Sequence, residues 1–265
     1  MTTKKLIEKE DVVVKFVGDS GDGMQLTGTL FSDTSALEGN DIATFPDYPA
    51  EIRAPHNTVA GVSGFQVHIG KRIYSSGDKC DVLVAMNPAS LKANLRWAKT
   101  GGIIIVDADT FVEEAITKAG YTSDPLNDDS LSNYTVIKAP ITSLTTEAVK
   151  EIFTDKKSAE RSRNMFALGM IFFIFNKGLE HANTYLENKF KKKPEVLEAN
   201  KAVIRAGYLF CENTDVLEAQ VHVKEAVMEK GKYRNITGNI ATAWGLLAAA
   251  ERANLPLFLG SYPIT

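Results

Sequence analysis

The chain has 265 residues, 44% of them hydrophobic and 24% charged, a balance that buries a core and excludes a charge-rich disordered polymer. Its 30 basic and 33 acidic side chains leave a formal charge of -3, so no bulk electrostatic attraction points to nucleic acid or an anionic membrane as partner. The two cysteines, Cys80 and Cys211, are too few for a disulfide framework, a zinc site or an iron-sulfur cluster held by this chain alone.

The charged beginning, with Lys4, Lys5, Glu8, Lys9, Glu10 and Asp11, has neither the apolar stretch nor the cleavage site of a secretory signal, which implies a cytoplasmic protein. Val12 to Val17 is an apolar, β-branched run that reads as a strand. A glycine-rich loop, Gly18 to Met24, follows, and then a helix in which Leu26, Leu30 and Leu37 recur at helical spacing. Gly28, inside that helix, costs about 1 kcal/mol against alanine and implies close packing on a neighbour. A short strand near Ile42 to Phe45 leads into a segment broken by Pro46, Pro49 and Pro55, which reads as an irregular loop because each proline removes a ladder donor.

From Val62 to Ile69 the residues alternate, with one apolar face from Phe65 onward, and Lys71 to Tyr74 is expected to extend this strand as a hairpin. Asp81 to Met86 and Gly102 to Val106 read as buried parallel strands joined by a helix that starts at Pro88, a βαβ unit. Tyr134 to Ile137 reads as an edge or final strand. Helices are then expected over Leu144 to Phe153, Ala159 to Asn176 and Glu195 to Cys211. The apolar run Met165 to Phe175 is too short to span a bilayer and reads as a buried helix.

The expected fold class is therefore α/β: a Rossmann-like, mostly parallel sheet with flanking helices, then a helical segment. The polar stretch Glu212 to Asn235 marks a change of organisation, giving domains at 1–230 and 231–265. The second begins an α/β domain with an alanine-rich helix to Asn254 and a strand at Leu257 to Leu259. No internal repeat is present.

Three segments invite functional readings. The loop Gly18-Asp19-Ser20-Gly21-Asp22-Gly23-Met24 lies between strand and helix, where backbone N–H groups and the helix dipole hold anions. Its order, Gly-x-x-Gly-x-Gly, and the acids Asp19 and Asp22 argue against a dinucleotide pyrophosphate. The alternative is a tight turn whose Asp22 caps the helix. Arg53, in Pro49 to Pro55, offers a clamp for phosphate or carboxylate, a pair across a subunit interface, or a plain surface pair with Glu51. No catalytic triad or nucleophile elbow is readable. Gly260 to Pro263, taken alone, is a turn.

Taken together, GDSGDGMQLTG, PAEIRAP followed by SGFQVHIG, and the ending TGNIATAWG…GSYPIT resemble the 2-oxoacid:ferredoxin oxidoreductases over nearly the whole chain. The first part is similar to the gamma, or catalytic-type, domain of that family's fused gamma-alpha subunit, and the tail to the start of its pyrimidine-binding domain. The resemblance implies oxidative decarboxylation of a 2-oxoacid, with 2-oxoglutarate as the candidate, coenzyme A as acyl-accepting cosubstrate and ferredoxin as electron acceptor. It implies a partner beta subunit that carries thiamine diphosphate and an iron-sulfur cluster, so that this chain would not turn over substrate alone. By the same resemblance Thr265 would help hold the substrate carboxylate, with Tyr262, Pro263 and Ile264 shaping the loop beside it. Gly18, Ser20, Gly21, Gly23 and Met24 would help bind coenzyme A phosphates. The competing expectation is a non-catalytic binding or subunit-interaction module.

Overall fold

The computed structural model describes residues 4–49, 51, 54–214, 216–229 and 231–260, which divide into two compact units, 1–227 and 228–265. In the first, β1 (Lys5–Lys9) precedes β2 (Asp11–Asp19), α1 (Met24–Leu37), β3 (Asp41–Asp47), β4 (Val62–Gly70), β5 (Cys80–Ala85), α2 (Pro88–Asn94), β6 (Ala98–Asp107), α3 (Glu113–Lys118) and β7 (Thr135–Ala139). Helices α4 (Ile141–Ala148), α5 (Lys156–Glu160), α6 (Arg163–Ile174), α7 (Glu180–Phe190) and α8 (Pro194–Asn213) follow, then β8 (Ala219–Val223). The second unit contains α9 (Gly238–Ala253) among its described residues.

The main sheet has six strands in the order β3-β4-β2-β5-β6-β7. β2, β5, β6 and β7 run parallel, whereas β4 is antiparallel to both β2 and β3. Strand alternation sorts β2 between two apolar layers. Val12, Val14 and Phe16 join the core under α1, α6 and α8, with Phe31, Phe172 and Val203 among its members. Val13 and Val17 join a second cluster with Leu83, Ile104 and Val106, closed by Leu91 of α2 and Ile116 of α3. The chain thus covers both faces with helices, and the parallel strands bring their carboxyl ends to one edge, where ligands bind in open α/β sheets.

Packing explains three glycines. A Cβ on Gly28 would collide with the Phe65 ring, as expected from its place inside α1. Gly169 of α6 and Gly207 of α8 let those helices approach until a Cβ would meet the Ile204 and Phe166 carbonyl oxygens respectively. The run Met165 to Phe175 is buried as expected. No helix among the described residues is long and apolar enough to cross a membrane.

Several elements differ from expectation. Lys71 to Tyr74 does not extend β4 as a hairpin; side chains instead hold this loop, with Asp41 accepting from the Ile73 N–H and Gln66 donating to the Ser76 and Gly77 carbonyls. Leu37 is exposed, so the apolar face of α1 ends a turn earlier. Leu257 to Leu259 is irregular and exposed, since a strand forms only where a ladder partner lies alongside, and none does among the described residues. The polar stretch after Glu212 contains β8, which pairs in parallel with β1.

Candidate functional site

The glycine loop leaves the carboxyl end of β2 and enters α1. Gly21 and Gly23 have φ of 102° and 79°, left-handed geometry that a residue with a Cβ adopts only under strain. A Cβ on Gly18 would meet Asp22 Oδ2 at 2.8 Å, and one on Gly23 would meet Asn164 Nδ2 at 2.5 Å, whereas the space beside Gly21 is open. Ser20 and Gly21 are exposed, while Met24 sends its side chain into the core, so only its backbone remains to serve the loop.

Asp22 does not cap α1. The N-cap is Gly23, without a side-chain capping bond, and the N–H groups of the first turn are therefore free of intrahelical partners. The Asp22 carboxylate turns back instead: Oδ2 accepts from the Asp19 N–H at 2.8 Å and Oδ1 from the Arg163 guanidinium at 2.5 Å. Asn164, the next residue of α6, donates to the Gly23 carbonyl and to Thr27 Oγ1, each at 3.2 Å. Asp19 is 5% exposed. Its Oδ2 accepts from the Asn57 N–H at 2.9 Å and lies 3.3 Å from His56 Nδ1, while its Oδ1 is buried with no hydrogen-bond partner.

The ends of the neighbouring strands complete this edge. Asn87, following β5, closes a capping box with Ser90 at the start of α2. Asp107, the last residue of β6, accepts from the Thr142 hydroxyl at 2.5 Å and its N–H at 3.2 Å. Burial pushes the Asp107 carboxyl up to about 6, helped by the Asp109 charge and opposed by the Thr142 bonds and by Arg163. Arg163 is itself largely buried, which disfavours its charge, yet Asp22 and then Asp107 hold its pKa above the usual value. An open depression of about 660 Å³ runs from Arg163 past Thr142, Ser143, Thr110 and Asp109.

Arg53, Tyr262, Pro263, Ile264 and Thr265 lie outside the described residues. Cys80 and Cys211 are free and buried, and burial raises both thiols to about 12, so neither is a nucleophile at neutral pH. Among the described residues no group of three His, Cys, Asp or Glu is placed to hold a metal. Arg163 carries no local signal, because the sequence reads as one helix over Ala159 to Asn176 and only the structure breaks it into α5 and α6, with Arg163 opening α6. An acid ending a buried parallel strand, as Asp107 does, stands where ligands bind.

These features define a doubly wound α/β domain whose first strand-to-helix turn, at the carboxyl edge of the sheet, presents N–H groups without intrahelical partners beside the Asp22–Arg163 ion pair and the buried Asp19 carboxylate. Residues 13–210 match the family described as pyruvate ferredoxin/flavodoxin oxidoreductase, and the chain belongs to that family. It is 48% identical over 257 residues to the 2-oxoglutarate oxidoreductase subunit KorA of Mycobacterium tuberculosis, covering 97% of this chain and 39% of that relative. A solved 2-oxoglutarate:ferredoxin oxidoreductase from Magnetococcus marinus, with 2-oxoglutarate, coenzyme A and succinyl-CoA bound, aligns with a TM-score of 0.63 at 25% identity over 82% of this chain and 33% of that one. The gamma subunit of a keto/oxoacid ferredoxin oxidoreductase from Geobacter sulfurreducens aligns at 0.54 and 19% identity, over 76% of this chain and 96% of its own, and shows the fold alone.

Proposed function

We propose that this chain is part of a 2-oxoacid:ferredoxin oxidoreductase whose substrate is 2-oxoglutarate. The observation that carries the reading is 48% identity to a 2-oxoglutarate oxidoreductase subunit across 97% of the chain. In this reading residues 1–230 are the gamma domain and 231–265 the start of the pyrimidine-binding domain. A beta subunit supplies thiamine diphosphate and the iron-sulfur cluster, carbon dioxide leaves, the acyl group passes to coenzyme A and the electrons to ferredoxin. The setting is the cytoplasm. Thr265 takes the substrate carboxylate, Tyr262, Pro263 and Ile264 shape the loop beside it, and Arg53 clamps an anionic group.

The residues of the glycine loop suit a phosphate of coenzyme A. The first turn of α1 is uncapped, Gly21 opens onto free space, and the Asp22 charge that would repel a phosphate is paired with Arg163. Gly18, Ser20, Gly21, Gly23 and the Met24 backbone form the cradle, with Gly18 and Gly23 allowing its close turns. Calorimetry of the 265-residue chain with coenzyme A tests it: heat is expected for wild type and should vanish in Gly21→Ala/Gly23→Ala. Absence of heat at millimolar coenzyme A would overturn the phosphate assignment. Assay of the full-length subunit with its beta subunit should show ferredoxin reduction that needs coenzyme A and favours 2-oxoglutarate over pyruvate; no turnover with any 2-oxoacid would favour a non-catalytic interaction module.

A further inference from the structure

Arg163 is the least expected member of the carboxyl edge. It opens α6, where the helix dipole repels a cation, and 78% of its side-chain surface is covered. Both costs are met by the 2.5 Å ion pair to Asp22, whose own side chain is 11% exposed. Asn164, beside it, is 3% exposed and ties the Gly23 carbonyl to Thr27. Two consecutive residues of one helix therefore hold two consecutive residues of the glycine loop. The loop meanwhile keeps two unmet demands: the uncapped first turn of α1, and the buried Asp19 Oδ1 that has no donor.

Aspartate immediately before an N-cap glycine has an ordinary alternative. Its carboxylate can turn to the free N–H groups of the first helical turn, where both the hydrogen bonds and the dipole favour it. Such a turn would satisfy α1 internally and put a carboxylate where an anionic ligand has to sit. We infer that Arg163 is a positioning residue: it holds the Asp22 carboxylate away from the first turn of α1, while Asn164 fixes the Gly23 N-cap, and so keeps that turn open for a phosphate-bearing ligand. The inference rests on the phosphate reading above, and it adds that affinity is controlled by a residue that need not touch the ligand. It also explains how a loop with two aspartates can serve an anion. Asp22 is committed to Arg163, and Asp19 is buried with its Oδ2 taken up by the Asn57 N–H.

The test uses the 265-residue chain and four variants, R163M, R163K, D22A and R163M/D22A, each first checked for a cooperative thermal transition. Coenzyme A is titrated by calorimetry, and amide hydrogen exchange is followed at Met24, Gln25 and Leu26 without ligand. R163M is expected to weaken coenzyme A about tenfold or more and to slow exchange in the first turn, as Asp22 moves to cap it. R163K should retain most of the affinity, and R163M/D22A should bind within about threefold of D22A, because alanine has no side-chain acceptor with which to cap the turn and block the site. If the double variant binds as poorly as R163M, Arg163 contacts the ligand or only supports the fold, and the inference fails. Wild-type exchange in the first turn as slow as in R163M would also sink it. If wild type binds no coenzyme A, the phosphate reading fails, and the exchange comparison still decides whether Arg163 keeps Asp22 off the helix.

Discussion

Replacing Asp107 by asparagine should lift a pH-dependent penalty on folding. Asp107 is fully buried, and that burial raises its pKa to about 6 despite the Thr142 hydrogen bonds and the Arg163 charge. The folded state therefore holds this proton more tightly than the unfolded chain, in which the value is about 3.9. Stability from this group is greatest in acid and is lost as pH rises from about 4 through about 6. The full penalty, once both states are ionised, is about 3 kcal/mol, of which about 2 kcal/mol accrues between about pH 4.5 and 7. Urea unfolding of wild type and D107N across that range isolates it, since every other titrating group is common to both chains. The difference between the two should shift by about 2 kcal/mol in favour of D107N towards neutral pH. Parallel stability curves would refute the assignment of Asp107 as a carboxyl that is costly to ionise.

Three substitutions, at Gly207, Lys177 and Glu38, probe the packing of the helices around the sheet. Gly207→Ala gains about 1 kcal/mol of helix propensity but drives a Cβ into the Phe166 carbonyl oxygen, a backbone atom that cannot give, so a net loss of about 2 kcal/mol is expected in urea melts; a neutral or stabilising result would mean that α6 and α8 are packed less closely. Lys177, 6% exposed, donates to Glu38 Oε2 at 2.6 Å and Asn40 Oδ1 at 3.1 Å. Lys177→Met should cost about 2 to 3 kcal/mol, and adding Glu38→Gln should return part of it, because the first change strands a partly buried carboxylate; additivity of the two would show that the pair is uncoupled.

The sheet was legible because its signals are local. Val12 to Val17, Asp81 to Met86 and Gly102 to Val106 are β-branched runs bounded by glycine or by acids, and each becomes a strand of the parallel region. Gly28 announced the close approach of Phe65, since a glycine inside a helix has few other uses. The losses have equally specific causes. β1, Lys-Leu-Ile-Glu-Lys, is exposed and does not alternate; β8, Ala-Gln-Val-His-Val, alternates over only five residues inside a polar stretch, and their pairing joins residues more than two hundred positions apart. Leu257 to Leu259 has the composition of a strand, but composition provides no partner for its ladder.

The same distinction between local and distant information decides how the glycine loop is understood. Within its own seven residues the loop looks hostile to phosphate, because Asp19 and Asp22 stand at a helix start and no nearby cation offsets them. In space the balance is different: Arg163, 141 positions away, pairs with Asp22, and the first turn of α1 keeps its donors. The helical segment after β7 is thus more than a cover for the sheet. Its packing, built on α6, buried from Asn164 to Ile174, and the glycine-mediated contact with α8, fixes where Arg163 and Asn164 stand, and these set the charge and geometry of a turn that belongs to the other end of the domain. A change that loosens α6 against α8, such as Gly207→Ala, should therefore act at the loop as well as on stability, which a strand-loop-helix unit considered alone would not anticipate.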